Sequence, residues 1–167
     1  MVKYTIAILV RNQAGVLNRV TSMFRRRQFN IDSLTVSETQ SDEFSRITVT
    51  YDSEPTERKL IIRQLYKLPD VLKVKDLSND KAVNAELMLI KVKNDPETHE
   101  DVRLAAEAYN ATTVDYTPES IIMRLTGDTR HLDAFIKLMK DYTILEICRT
   151  GIVCLERGSK TLVTNND

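Results

Sequence analysis

Arg11-Asn12-Gln13-Ala14-Gly15-Val16-Leu17-Asn18-Arg19-Val20 is the stretch whose reading decides the fold. Upstream of it, Tyr4-Thr5-Ile6-Ala7-Ile8-Leu9-Val10 alternates as a strand, with Tyr4, Ile6, Ile8 and Val10 on one face and Thr5, Ala7 and Leu9 on the other. Apolar residues on both faces imply a strand buried on both sides, hence central in a sheet. Downstream, Val16, Val20, Met23 and Phe24 recur at helical spacing, and Arg25-Arg26-Arg27 fall in the last turn, where cations complement the helix dipole. Between strand and helix, a polar residue, a small pair and a glycine predict a short turn whose N–H groups point outward. Such a turn can receive a carboxylate or phosphate, because first-turn donors are unpaired and the dipole favours negative charge.

Working outward, Phe29 to Gln40 reads as extended, with Ile31, Ser33, Thr35 and Ser37 on one face and Leu34 and Val36 on the other. Ser41-Asp42-Glu43 is a hairpin loop, and Phe44 to Tyr51 a strand that turns Ile47, Val49 and Tyr51 one way. Glu54-Pro55-Thr56 opens a second helix with the stripe Leu60, Ile61, Leu65 and Leu68; Pro69 closes it, and Val71 to Leu77 is a fourth strand. After a polar break at Ser78-Asn79-Asp80 the pattern starts again. Ala85 to Val92 is a strand, Asn94-Asp95-Pro96 a turn, and Val102, Ala105, Ala106 and Tyr109 a helical stripe. Thr112 to Tyr116 and Ser120 to Thr126 are strands, Gly127-Asp128-Thr129 a cap, and Leu132, Phe135, Ile136 and Met139 a second stripe. Thr143 to Leu155 closes as one long strand with a bulge at Gly151.

The expected architecture is therefore α+β: two ferredoxin-like β-α-β-β-α-β domains in tandem, residues 1–78 and 79–167. Right-handed crossovers put both helices of a domain on one sheet face, with its first and third strands central and its second and fourth at the edges. In the first domain the long, β-rich second strand is an edge that invites a second copy of the chain, and the helix-free face also seeks a cover.

Lys plus Arg equals Asp plus Glu at 24 each, which removes the basic excess that draws a protein to nucleic acid. No apolar run reaches the roughly 20 residues of a membrane helix. Met1-Val2-Lys3-Tyr4 enters a strand pattern at once, so no cleavable signal peptide is expected. Cys148 and Cys154 share one extended stretch, about 20 Å apart along it, and read as reduced residues of a cytoplasmic protein.

Nothing in the sequence assembles a catalytic centre. His99 and His131 lie in different halves, away from any ligand-spaced cluster, so no metal site is expected. Neither a P-loop nor a G-x-G-x-x-G or G-x-S-x-G motif occurs. The third strand, Phe44-Ser45-Arg46-Ile47-Thr48-Val49-Thr50-Tyr51, lacks the glycine and paired stacking aromatics of an RNA-recognition module. The enzymatic alternative is a small acyl-phosphate hydrolase using the Asn12–Gly15 loop with Arg11 or Arg19.

Asn12 to Val20 and Phe29-Asn30-Ile31-Asp32-Ser33-Leu34-Thr35-Val36 carry a family resemblance. So do Gln64 to Leu68, Asp70 to Val74, Glu86 to Val92, Leu132-Asp133-Ala134-Phe135 and Arg149-Thr150-Gly151-Ile152-Val153. The chain resembles the small, regulatory subunit of acetohydroxyacid (acetolactate) synthase, with an N-terminal ACT domain, from its start to about Gly158.

The resemblance implies a non-catalytic cytoplasmic subunit that homodimerises through its ACT domain. It implies binding to the large subunit, activation of it, and feedback inhibition by valine or another branched-chain amino acid. Thiamine diphosphate, Mg and FAD are implied only for that catalytic partner. The implied effector site lies at the ACT dimer interface, where Asn12, Ala14, Gly15, Val16 and Leu17 of one chain face Asn30 and Ile31 of the other. Backbone N–H groups near Gly15 would hold the effector carboxylate, the Asn12 and Asn30 side chains would orient it, and Leu17 and Ile31 would wall its side chain. A free-standing ACT sensor with another target is the alternative. Family members commonly have proline or serine at Ala14, serine at Asn18 and glycine at Gln28. Gln28 is the conformationally demanding difference, since a glycine after a helix readily takes positive φ.

Overall fold

A computed structural model describes residues 2–78 and 82–162. The chain divides into two compact units, Met1–Val83 with Ile152–Asp167, and Asn84–Gly151. This differs from the expected 1–78 and 79–167 division, because the C-terminal segment belongs with the first unit. Asn79 and Asp80 of the anticipated polar break lie outside the described residues.

In the first unit β1 (Val2–Arg11) leads through the Gly15 turn to α1 (Val16–Arg26). Then come β2 (Ile31–Glu38), β3 (Phe44–Ser53), α2 (Arg58–Leu65) and β4 (Val71–Asp76). The antiparallel sheet runs β2-β3-β1-β4, so β1 and β3 are central and β2 is an edge, as the topology required. The two faces of β1 behave as its alternation predicts. Ile6, Ile8 and Val10 join Val16, Val20 and Phe24 of α1 and Ile61 and Leu65 of α2 in the main core, while Ala7 and Leu9 are buried on the helix-free face.

Two expectations in this unit need correction. Leu60 is 39% exposed, and Ile62 takes its place beside Ile61, Leu65 and Leu68, so the stripe of α2 is turned slightly from the one anticipated. In β2 the pairing with β3 shifts register between Ile31 and Ser33, leaving Asp32 as an extra residue. That bulge puts Ile31 and Leu34 against the same core, where strict alternation had them on opposite faces.

Helix α1 ends in a Schellman motif. Phe29 N–H donates to Phe24 O at 3.1 Å and Gln28 N–H to Arg25 O at 3.0 Å, and Gln28 takes the left-handed position with φ +61°. Side chains with a Cβ are disfavoured there, so Gln28→Gly is expected to raise stability by about 1 kcal/mol. A urea midpoint that rises at unchanged slope is the expected result, and an unchanged or lower midpoint contradicts it. Tyr51 is fully buried among Tyr4, Phe24 and Phe29, with ring centroids 5.9, 5.6 and 6.4 Å away, yet its hydroxyl has no hydrogen-bond partner among the described residues. Burial, with the Asp76 carboxylate second, pushes this phenol above its ordinary pKa. Tyr51→Phe removes that unpaired group and should stabilise by about 1 kcal/mol, read from the same melts.

The second unit repeats the order with β5 (Ala82–Lys93, of which Asn84 onward belongs to this unit), α3 (His99–Ala108), β6 (Thr112–Tyr116), β7 (Ser120–Gly127), α4 (Thr129–Met139) and β8 (Ile144–Arg149). Its strand order is β6-β7-β5-β8. The anticipated stripes pack in one core of Val102, Ala106, Leu132, Phe135 and Met139 against Met88, Ile90 and Val92. Asp128 caps α4 by accepting from His131 N–H at 2.8 Å. Helix α3 closes like α1, with Asn110 at φ +54° in the left-handed position.

The expected long last strand is two strands. Gly151, at φ +82°, breaks the ladder after β8, and β9 (Val153–Glu156) belongs to the first unit. There Cys154 and Leu162 bury against Ala7, Leu9 and Leu77, so the chain covers part of its own helix-free sheet face. Both cysteines are free, Cys148 exposed and Cys154 buried.

Candidate functional site

The turn between β1 and α1 depends on Gly15, the N-cap residue, at φ +84° and ψ −8°. Asn12 N–H donates to Glu43 O at 2.8 Å, Gln13 N–H to Arg11 O at 3.0 Å and Val16 N–H to Gln13 O at 3.3 Å. The N–H groups of Ala14, Gly15 and Leu17 meet no acceptor among the described residues. Helix α1 has no side-chain cap and no acidic residue in its first turn, whereas α4 has the Asp128 cap and α3 carries Glu100 and Asp101. Unpaired donors at the positive end of a dipole make this turn receptive to an anion.

The residues singled out from sequence divide by what they are free to do. The Asn12 amide nitrogen donates to Glu38 Oε1 at 3.2 Å and to the Asp42 carbonyl at 2.9 Å. Its oxygen accepts from Ser45 Oγ at 3.0 Å. Both amide protons are thus engaged, and Asn12 braces the hairpin against the turn. Val16 is buried in the core with its N–H already bonded, while Leu17 is 40% exposed. Ala14 and Gly15 lie at the surface. Asn30 is exposed and donates to Asp32 Oδ1 at 3.4 Å; Ile31 is half-buried. Glu38, Asp42 and Ser45 were missed by motif reading. Their signal is the hairpin register, which sets Glu38 opposite Ser45 beside the turn.

One chain does not bring the two groups together. Ile31 stands opposite Tyr51, which stands opposite Tyr4, whereas the turn follows Arg11, which stands opposite Phe44. The run from Tyr4 to Arg11 is about 23 Å long at the rise of an extended strand. The Gly15 turn and the Asn30–Ile31 segment therefore sit at opposite ends of the sheet.

The phosphate-cradling alternative loses its Arg19, whose guanidinium pairs with Asp70 at 2.7 Å. Among the described residues no group of three or more His, Cys, Asp or Glu could hold a metal ion. His99 and His131 each have a ring nitrogen on a backbone carbonyl, of Pro96 at 3.0 Å and Tyr109 at 3.2 Å.

Residues 6–73 match the family model for the AHAS small subunit-like ACT domain, and residues 85–158 the one for the small subunit of acetolactate synthase. The acetolactate synthase small subunit of Bacillus subtilis is 39% identical over 165 residues, covering 98% of this chain and 96% of that one. That of Haemophilus influenzae is 35% identical over 159 residues, covering 95% and 98%. The crystal structure of the acetolactate synthase small subunit from Thermotoga maritima superposes with a TM-score of 0.87 at 32% identity, covering 96% of this chain and all of that one. The chain belongs to the acetolactate synthase small-subunit family.

The small subunit is the regulatory rather than the catalytic chain of that synthase, and the ACT domain of this small subunit lies within its first unit. No helix among its described residues is long and apolar enough to cross a membrane.

Proposed function

We propose that this small subunit activates the thiamine-diphosphate-dependent catalytic subunit of acetolactate synthase and confers feedback inhibition by a branched-chain amino acid, valine foremost. The observation that carries the reading is the row of unpaired N–H groups at Ala14, Gly15 and Leu17 beside an exposed Leu17, one face for a carboxylate and one for an aliphatic side chain. Asn30 and Ile31, at the far end of the same sheet, complete the site only from a second copy. Edge strand β2 supplies the means. Antiparallel pairing of two β2 strands sets the Ile31 end of one beside the Glu38 end of the other, and Glu38 holds the turn through Asn12. Asn12 shapes the turn, the backbone binds the carboxylate, and Asn30 of the second copy orients the ammonium end.

Valine inhibits by binding one arrangement of the complex more tightly than the other, and a site built from two chains links dimer geometry to sensing. Thiamine diphosphate, Mg and FAD remain with the catalytic subunit, and the assembly is cytoplasmic in this reading.

Mixed dimers test the shared site. Gly15→Asp and Asn30→Ala are each expected to remove the valine response when present in both copies. A co-expressed mixture should regain part of it, because one of the two sites in a mixed dimer is intact. No recovery in mixtures shown to exchange chains means that each chain carries its whole site. A pull-down with the catalytic subunit, with and without each branched-chain amino acid, tests partnership; failure to bind it favours a free-standing sensor.

A further inference from the structure

The first unit holds a cavity of about 470 Å³ that the effector reading does not use. It opens on the helix-free sheet face, between β1, β3 and β4 and the returning C-terminal segment. Leu9, Leu77, Leu155 and Leu162 contribute to an apolar wall. Arg46, projecting from β3, is half-buried at its edge. One guanidinium N–H donates to the Cys154 carbonyl, and no carboxylate among the described residues pairs with it.

Of the neighbouring charges, Lys160 is exposed to water and the other three have partners. Lys75 and Glu156, also in the lining, form an ion pair with each other. Glu38 accepts from Asn12. Among the described residues of the lining, three cations, Arg46, Lys75 and Lys160, meet two carboxylates, Glu38 and Glu156, which leaves one positive charge in excess. A guanidinium has five N–H donors in a planar fork suited to a carboxylate, and removing it from water without a counter-ion is costly. Burial accordingly lowers the pKa of Arg46 from its ordinary value.

We propose that this cavity is a second ligand site, within a single chain, for a small monocarboxylate with an aliphatic body. The carboxylate sits on the free edge of the Arg46 guanidinium and the hydrocarbon lies against the leucines. A phosphate or dicarboxylate would bring surplus negative charge beside Glu38 and Glu156 and leave the leucines uncovered. A neutral aliphatic molecule would leave Arg46 unanswered. The volume lies within the usual range of small-molecule pockets. The site requires neither the Gly15 turn nor a second copy. Glu38 nevertheless touches both places, lining this cavity while holding the Asn12 amide, so occupancy here reaches the turn through one side chain.

The test is titration of the full chain with hexanoate, followed by calorimetry and by amide resonances in ¹⁵N-labelled protein. Acetate, hexan-1-ol and inorganic phosphate serve as comparison probes. Hexanoate is expected to saturate below about 10 mM and to shift Leu9, Leu77, Leu155 and Leu162 together with the Asn12 side-chain amide. The three comparison probes should each bind at least about tenfold more weakly. Arg46→Gln keeps a donor for the Cys154 carbonyl but removes the charge, and should weaken hexanoate by about tenfold or more. Arg46→Lys should retain most of the binding. Gly15→Asp should leave it unchanged. The proposal is overturned if hexanoate fails to saturate, binds Arg46→Gln as well as the unaltered chain, or loses affinity in Gly15→Asp and not in Arg46→Gln.

Discussion

Replacing Gly15 with aspartate is expected to raise the valine concentration needed for half-inhibition of the reconstituted synthase by at least about tenfold, or to remove the response altogether. Activation of the catalytic subunit by this chain should persist. Three features set the size of the effect. The backbone at Gly15 has φ +84°, which an L side chain adopts only under strain. The neighbouring N–H groups of Ala14 and Leu17 have no acceptor among the described residues, so an introduced carboxylate becomes a competing anion within their reach. Arg19 Nη1 lies 3.8 Å from where a Cβ would stand, close enough to be drawn from Asp70 towards the new charge. Alanine at the same position separates strain from charge. It should cost about 1 kcal/mol of stability and affect inhibition less than aspartate does. Measured side by side, an aspartate variant with an unchanged valine curve would refute the effector assignment.

Truncating Phe24 to alanine should produce the larger loss of stability, about 3–5 kcal/mol. Phe24 is fully buried, sits in the last turn of α1 and meets the Tyr51 ring edge-on at 5.6 Å. Its carbonyl also accepts from Phe29 N–H, so the side chain and backbone of one residue fasten the helix to the sheet and to the start of β2. A loss of that size is a large fraction of the roughly 5–15 kcal/mol that holds a domain folded. Urea melts followed by circular dichroism measure it. Leu17→Ala, at an exposed position of the same helix, should cost less than about 1 kcal/mol. Equal losses at the two positions would mean that α1 is not anchored through Phe24.

The strands and helices were legible because each carries its own period. Alternation through Tyr4–Val10 announced a central strand, and the spacing of Val16, Val20, Met23 and Phe24 announced the helix beneath it. Gln28 was legible only through the family resemblance, where the glycine usual at that position marks a left-handed residue after the helix. Asp32 was not. A bulge inserts one residue without altering local composition, and only pairing with β3 reveals that Ile31 and Leu34 share a side. The turn of the candidate site was readable as an anion-receptive start of a helix. The engagement of Asn12 was not, because its partners Glu38, Asp42 and Ser45 reach it across a hairpin rather than along a helix or strand. Residues Val153 to Glu156 continue the apolar alternation of β8, so nothing local distinguishes a bulged strand from two strands in different units.

That last segment bears on how the protein is made. Arg46 and Cys154, joined by a hydrogen bond, are 108 residues apart in the chain. The buried contacts of Cys154 and Leu162 with Ala7 and Leu9 span a still longer separation. During synthesis, β1 to β4 and both helices of the first unit emerge before any residue that covers the other side of their sheet. Every residue of the second unit must be translated in between. Closing so long a loop adds little to the entropic cost relative to a loop half its length, about 0.6 kcal/mol per doubling, but it delays completion. The ACT domain of a nascent chain therefore passes through an interval with Ala7, Leu9 and Leu77 uncovered, when this face is most open to other chains.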